Sequence, residues 1–173
     1  MGTLLDGQTP DVGGVWDVQV NPSGLDVQNG SVDTVGAGRE AYASLTRPLV
    51  AGEILQLDFT TADTAGSMFA IDFFPGIELY SSNTYRMQIG APGTIDNWGV
   101  QVFGDFTDEY GTVHQVETIT ASFTYAYDTG AYTFQISGVG SALTGTITSN
   151  YAIDQFKFLN GGGTDINIDS IVI

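Results

Sequence analysis

The sequence predicts an all-β fold of antiparallel strands, closed as a sandwich or barrel. Three observations carry this reading. Apolar and polar residues alternate along most of the chain, the pattern of strands wet on one face. Turn-forming clusters of Gly, Asn, Asp and Pro recur between those stretches. The 173 residues include 23 glycines but only 14% charged residues, a poor composition for helices with wet faces.

The elements follow in order. Residues 53–60 place Leu55, Leu57 and Phe59 on one face and Gln56, Asp58 and Thr60 on the other. Residues 67–74 align Phe69, Ile71 and Phe73, and residues 84–89 align Tyr85, Met87 and Ile89. In 97–103, Trp98, Val100 and Val102 alternate with Asn97, Gly99 and Gln101. Residues 118–127 carry Ile119, Ala121, Phe123, Tyr125 and Tyr127 on one face. Asp128-Thr129-Gly130 then reads as a hairpin loop, with Gly130 supplying a positive φ, and residues 131–137 return. Phe156 and Phe158 alternate with Gln155 and Lys157, and Ile166, Ile168 and Val172 look core-facing in a last strand. Asn21-Pro22-Ser23-Gly24, Asn29-Gly30, Ala91-Pro92-Gly93 and Asn160-Gly161-Gly162-Gly163 punctuate these runs. The spacing predicts about twelve to fourteen strands. No repeat or linker-like shift divides the chain, so residues 1–173 read as a single domain.

Charge excludes several function classes. Four Lys and Arg stand against 20 Asp and Glu, a formal net charge of −16. Phosphate recognition needs a basic patch, so nucleic acid is not an expected partner, and neither is an anionic membrane surface. Cysteine is absent, which removes disulfides, thiol nucleophiles and Cys-ligated zinc. The apolar runs are too short for a bilayer-spanning helix. The opening residues carry no basic and apolar signal pattern, so no signal peptide is expected.

Two stretches resemble a known family. The run Gly2-Thr3-Leu4-Leu5-Asp6-Gly7-Gln8-Thr9-Pro10-Asp11-Val12-Gly13-Gly14-Val15-Trp16 resembles the opening of concanavalin A-like, laminin-G-like jelly rolls of phage structural and bacterial surface glycan-binding proteins. Gln8 stands where the family commonly has His. Residues 125–134 and 160–173 resemble the closing hairpin and last strand of the same sandwiches. The resemblance implies a jelly-roll β-sandwich acting in one of two ways. The main reading is a virion component, such as a capsid decoration or fibre subunit working through protein–protein contacts, with glycan adhesion as a further role; the alternative is a secreted carbohydrate-binding module or lectin-like domain. The first reading has a homo-oligomer or coat protein as partner and the virion surface as location. The second has a cell-surface glycan and an extracellular location. Family members usually carry a strand before this run, so Leu4 and Leu5 are expected to take part in assembly.

Catalysis is not expected. Glycoside hydrolases of this fold class carry Glu-x-Asp-x-x-Glu on one strand, where alternation pairs the carboxylates as nucleophile and acid. No such run occurs, and the acidic stretch Asp105-Phe106-Thr107-Asp108-Glu109 reads as a loop. His114 is the sole histidine, with no G-x-S-x-G motif to make it a triad member, and reads as structural.

Two binding sites are expected instead. Fifteen of the acids are Asp, and hard oxygen ligands in loops suit a structural Ca²⁺. Asp105, Asp108 and Glu109 form one ligand set. Asp6 and Asp11 with Asp165, Asn167 and Asp169 form another, although the last three alternate with Ile166 and Ile168 as a wet strand face would. Sugar recognition needs aromatic faces beside amides or acids. Tyr80, next to Ser81-Ser82-Asn83, Tyr110 in the acidic stretch and Trp98 after Asp96-Asn97 are the platform residues, with a core position as the alternative for Trp98.

Overall fold

The computed structural model describes residues 3–4, 16–20, 25–28, 31–34, 39–63, 76–90, 97–102, 105–114, 118–148, 150–160 and 164–173. Among them are fifteen strands, more than the spacing predicted. In chain order they are β1 (Thr3–Leu4), β2 (Trp16–Val20), β3 (Leu25–Gln28), β4 (Ser31–Thr34), β5 (Arg39–Ser44), β6 (Ile54–Asp63), β7 (Gly76–Ser81) and β8 (Thr84–Gly90). There follow β9 (Asn97–Val102), β10 (Asp105–His114), β11 (Thr120–Ala126), β12 (Ala131–Ile136), β13 (Leu143–Thr146), β14 (Gln155–Asn160) and β15 (Thr164–Val172). They form two antiparallel sheets. The eight-stranded sheet runs β1-β3-β4-β15-β6-β11-β12-β13, and the seven-stranded sheet runs β10-β9-β8-β7-β14-β5-β2. The expected sandwich is therefore present. The expected strand at 67–74 lies outside the described residues.

Alternation builds the core. Leu55, Leu57 and Phe59 of β6 and Phe123 and Tyr125 of β11 are fully buried from one sheet. Ile77 and Leu79 of β7, Trp98 and Val100 of β9, and Phe156 and Phe158 of β14 meet them from the other. Phe59 and Trp98 touch across the sandwich with ring centroids 6.0 Å apart. Tyr110 of β10 packs edge-on against Phe134 of β12 at 5.8 Å, and its hydroxyl donates to the Phe134 carbonyl at 2.9 Å.

The β11–β12 hairpin turns at Gly130, which has φ +66° as its position in the loop requires. A Cβ there would also collide with the backbone carbonyl of Ile147, whose N–H donates to the Gly130 carbonyl at 2.9 Å. Conformation and space both demand glycine.

Three expectations are corrected. Residues 105–109 are not a loop: they begin the ten-residue strand β10, paired with β9 from Asp105↔Val102. Val172 is not core-facing but half exposed, at 52%. The cause is a bulge in β15: Ile168 pairs with Phe59 and Ser170 with Asp58, so Asp169 is the extra residue. The phase slips by one, and Ile171 rather than Val172 packs on the core. Tyr85 does not share a face with Met87 and Ile89. Leu79 pairs with Met87 but Tyr80 with Tyr85, so Arg86 is extra and Tyr85 turns to the outer face.

Candidate functional site

The β7–β8 hairpin sets the geometry. Its turn residues Ser82 and Asn83 have φ of 52° and 59°, the pair of positive values that suits the twist of two antiparallel strands. Asp154 holds the turn: its carboxylate accepts from the Ser82 N–H at 3.2 and 3.0 Å, and its own N–H donates to the Tyr80 carbonyl at 3.0 Å. Tyr80 and Tyr85 then stand side by side on the outer face of the seven-stranded sheet, rings edge to face at 6.1 Å.

Around this pair the middle strands gather polar side chains. Register places Lys157 opposite both Glu78 and Tyr42, and Gln88 opposite both Glu78 and Gln101. Tyr80 donates its hydroxyl to Glu78 Oε2 at 2.7 Å, and Lys157 Nζ lies 3.6 Å from the same oxygen. Lys157 Nζ also sits 5.8 Å from the centroid of the Tyr42 ring. Tyr85 donates to Gln101 Oε1 at 3.1 Å, and Gln155 Nε2 donates to Ser44 Oγ at 3.4 Å. Burial, reinforced by the negative charge of Glu78, pushes the Tyr85 phenol well above its ordinary value.

This face is unusual for the outside of a sheet. Side chains of Lys157 and Glu78 are only 15% and 17% exposed, and Gln88 only 7%. One reason lies in the neighbouring register row, where Gly76, Gly90 and Gly99 follow one another across β7, β8 and β9. A Cβ at Gly76 would meet the Gln88 amide at 2.9 Å, so that amide lies over bare backbone. Phenols, amides, one carboxylate and one ammonium thus converge on the centre of the sheet. Such groups donate and accept hydrogen bonds in fixed directions, and the rings offer flat apolar faces.

Of the expected sugar-platform residues, Tyr80 belongs to this cluster. Trp98 and Tyr110 do not. Trp98 is fully buried against Phe59, and Tyr110 is 6% exposed between the sheets. Alternation with Val100 turned Trp98 inward, and the hydrogen bond to Phe134 holds Tyr110 there. Tyr42, Glu78, Tyr85, Gln88, Gln101 and Lys157 were missed. A usable signal existed for one of them: Lys157, the only lysine, lies between two core phenylalanines and so must face outward.

The two acidic sets are described only in part. Glu109 is exposed on edge strand β10, where its carboxylate accepts from Asn97 Nδ2 at 3.4 Å, while Asp108 Oδ1 accepts from the Glu109 N–H at 3.0 Å. Asp169 is exposed at the β15 bulge, in the opposite sheet. The backbones of Asp105, Asp165 and Asn167 lie in β10 and β15; Asp6 and Asp11 are outside the described residues. Among the described residues, no three His, Asp or Glu side chains come together as a cation site; the side chains of Asp105, Asp165 and Asn167 lie outside that description. Leu4 pairs with Asp26 in β1, at the edge of the eight-stranded sheet, and Leu5 lies outside the described residues.

No family model and no curated protein matches the sequence. Solved structures do match. A lectin from Bauhinia forficata in complex with GalNAc aligns with a TM-score of 0.59 at 10% identity, over 95% of this chain and 93% of that one. Arcelin-5, a lectin-like defence protein from Phaseolus vulgaris, aligns with a TM-score of 0.60 at 10% identity, over 95% and 92%. An alginate lyase of Polysaccharide Lyase family 7 aligns with a TM-score of 0.56 at 12% identity, over 86% and 80%. Identities this low speak to architecture alone. Two facing antiparallel sheets, one of eight strands and one of seven, shared in outline with lectins and a lyase, identify the fold as the concanavalin A-like jelly-roll sandwich.

Proposed function

We propose that this chain is a glycan-binding domain that reads sugar hydroxyls at the outer face of its seven-stranded sheet. The observation that carries the proposal is the cluster of Tyr80, Tyr85, Glu78 and Lys157, polar and aromatic groups held at the sheet centre by the Asp154-pinned hairpin. Tyrosine supplies a ring face for an apolar patch of sugar, and the neighbouring carboxylate and amides supply hydroxyl partners. Lectins among the similar structures support the reading. The main reading expected from the opening run, display on a virion, draws no support from those structures, and the similar lectins favour its alternative, the carbohydrate-binding module. An extracellular or surface setting follows from glycan binding.

Binding without hydrolysis is the form we favour. Two carboxylates flank the bond in most glycoside hydrolysis. In this cluster the described side chains include one, Glu78, and it is engaged by Tyr80 and Lys157.

The test is retention on immobilised polysaccharides, with Tyr80→Ala beside the parent chain. The variant should bind roughly tenfold more weakly, about 1.4 kcal/mol, with its melting temperature recorded as a control on folding. A folded Tyr80→Ala protein that binds as the parent does would refute the site. New reducing ends appearing in the polysaccharide would refute the non-enzymatic reading.

A further inference from the structure

We infer that this face selects uncharged, hydroxyl-rich glycans and rejects those bearing carboxylate or sulfate. The inference rests on the glycan-binding reading above and names its ligand class. It comes from where the cations are. The sequence has four, Arg39, Arg47, Arg86 and Lys157. The three whose side chains are described are all committed within the protein. Arg47 pairs with Glu53. Arg86 lies 4.8 Å above the Tyr151 ring. Lys157, the cation of the proposed site, faces Glu78 and the Tyr42 ring.

An anionic sugar would therefore meet Glu78 as well as Lys157. To pair with the ammonium it must displace a carboxylate already in place, and the displaced carboxylate would remain beside it in a poorly hydrated site. Long-range forces act in the same sense. A formal charge of −16 surrounds the site with a negative potential that slows the approach of any polyanion. A neutral glycan feels neither penalty. It can still donate a hydroxyl to Glu78 and to the amide oxygens, and accept from Lys157 and from the amide N–H groups.

The alginate lyase with the same fold makes the contrast useful, because alginate is a polyuronate. Binding would be measured by calorimetry with alginate oligosaccharides and with neutral β-glucan and galactomannan oligosaccharides of equal length. Salt would be set at about 20 mM and about 200 mM, on either side of effective screening. At low salt, alginate should bind on the order of tenfold more weakly than the best neutral ligand, and the gap should narrow at high salt. Glu78→Gln, which leaves Lys157 unopposed, should shift the alginate-to-neutral affinity ratio severalfold toward alginate. Alginate binding as tight as neutral binding, and lost in Tyr80→Ala, would overturn the charge selection while leaving the glycan site standing. So would an affinity ratio that Glu78→Gln leaves unchanged. No binding to either class would overturn both readings.

Discussion

Tyr110 and Trp98 are aromatic residues that the outer surface does not use, and each carries a polar atom into the core. The Tyr110 hydroxyl donates to the Phe134 carbonyl and accepts from the Ile136 N–H at 3.4 Å, so it joins the two sheets. Tyr110→Phe removes both contacts and leaves a buried carbonyl without that donor. It should cost about 1–3 kcal/mol, read from urea unfolding, without altering glycan retention. The indole Nε1 of Trp98 is buried with no hydrogen-bond partner among the described residues. Trp98→Phe therefore deletes a polar group that gains nothing, and should cost far less than Trp98→Ala, for which about 3–5 kcal/mol is expected. Equal costs would mean that the indole N–H has a role that its surroundings do not reveal. Exposed charge gives a pH signature. Arg47 and the Val50 N–H bond the Glu53 carboxylate and hold it down to about 2, from an ordinary 4.5. A depressed carboxyl stabilises the fold above its unfolded value. The contribution of Glu53 is therefore complete above about pH 4.5 and fades as pH falls toward 2. Melting curves of the parent and Glu53→Gln should separate slightly at pH 5.5 and converge in that acid window. The effect is small because solvent screens the pair.

At the level of elements, the alternation made most strands legible and the bulges made some faces illegible. Leu55, Leu57 and Phe59 read correctly because β6 pairs without interruption with β11. Tyr85 and Val172 read wrongly because each lies beyond an inserted residue, Arg86 or Asp169, that shifts the phase by one. A bulge is a property of two paired strands, and neither strand alone announces it. The candidate site was hidden for a related reason. Its members come from β5, β7, β8, β9 and β14, and only the strand order brings them together. Tyr80 stands out in the sequence because it neighbours the polar run Ser81-Ser82-Asn83. Turns themselves were legible. Gly130→Ala imposes both an unfavourable φ and a backbone collision, so it should cost well over about 1 kcal/mol. Asp154→Ala unpins the Ser82 turn; it should lower stability by about 1–2 kcal/mol and weaken glycan retention through Tyr80 and Tyr85. If retention stays intact while stability falls, the turn does not set the geometry of the site.

For the whole molecule, the charge of −16 means that like charges repel over most of the surface. Sodium chloride should raise the melting temperature by screening, and the rise should level off once the Debye length falls below the spacing of the surface acids. A melting temperature indifferent to salt would contradict this. The strand order has a consequence for how the protein is made. β15 bonds to β6 on one side and to β4 on the other, joining Ile166 to Thr61 and Asn167 to Asp33. A ribosome delivers β15 after every other strand described here. Until it arrives, β6 presents an unpaired edge beside Leu57 and Phe59, and the β1-β3-β4 ribbon has no neighbour in its sheet. The nascent chain must therefore wait with its adhesive edge open, and its folding is governed by contacts between distant parts of the chain. Crowded synthesis is therefore a condition under which this sandwich is exposed to failure.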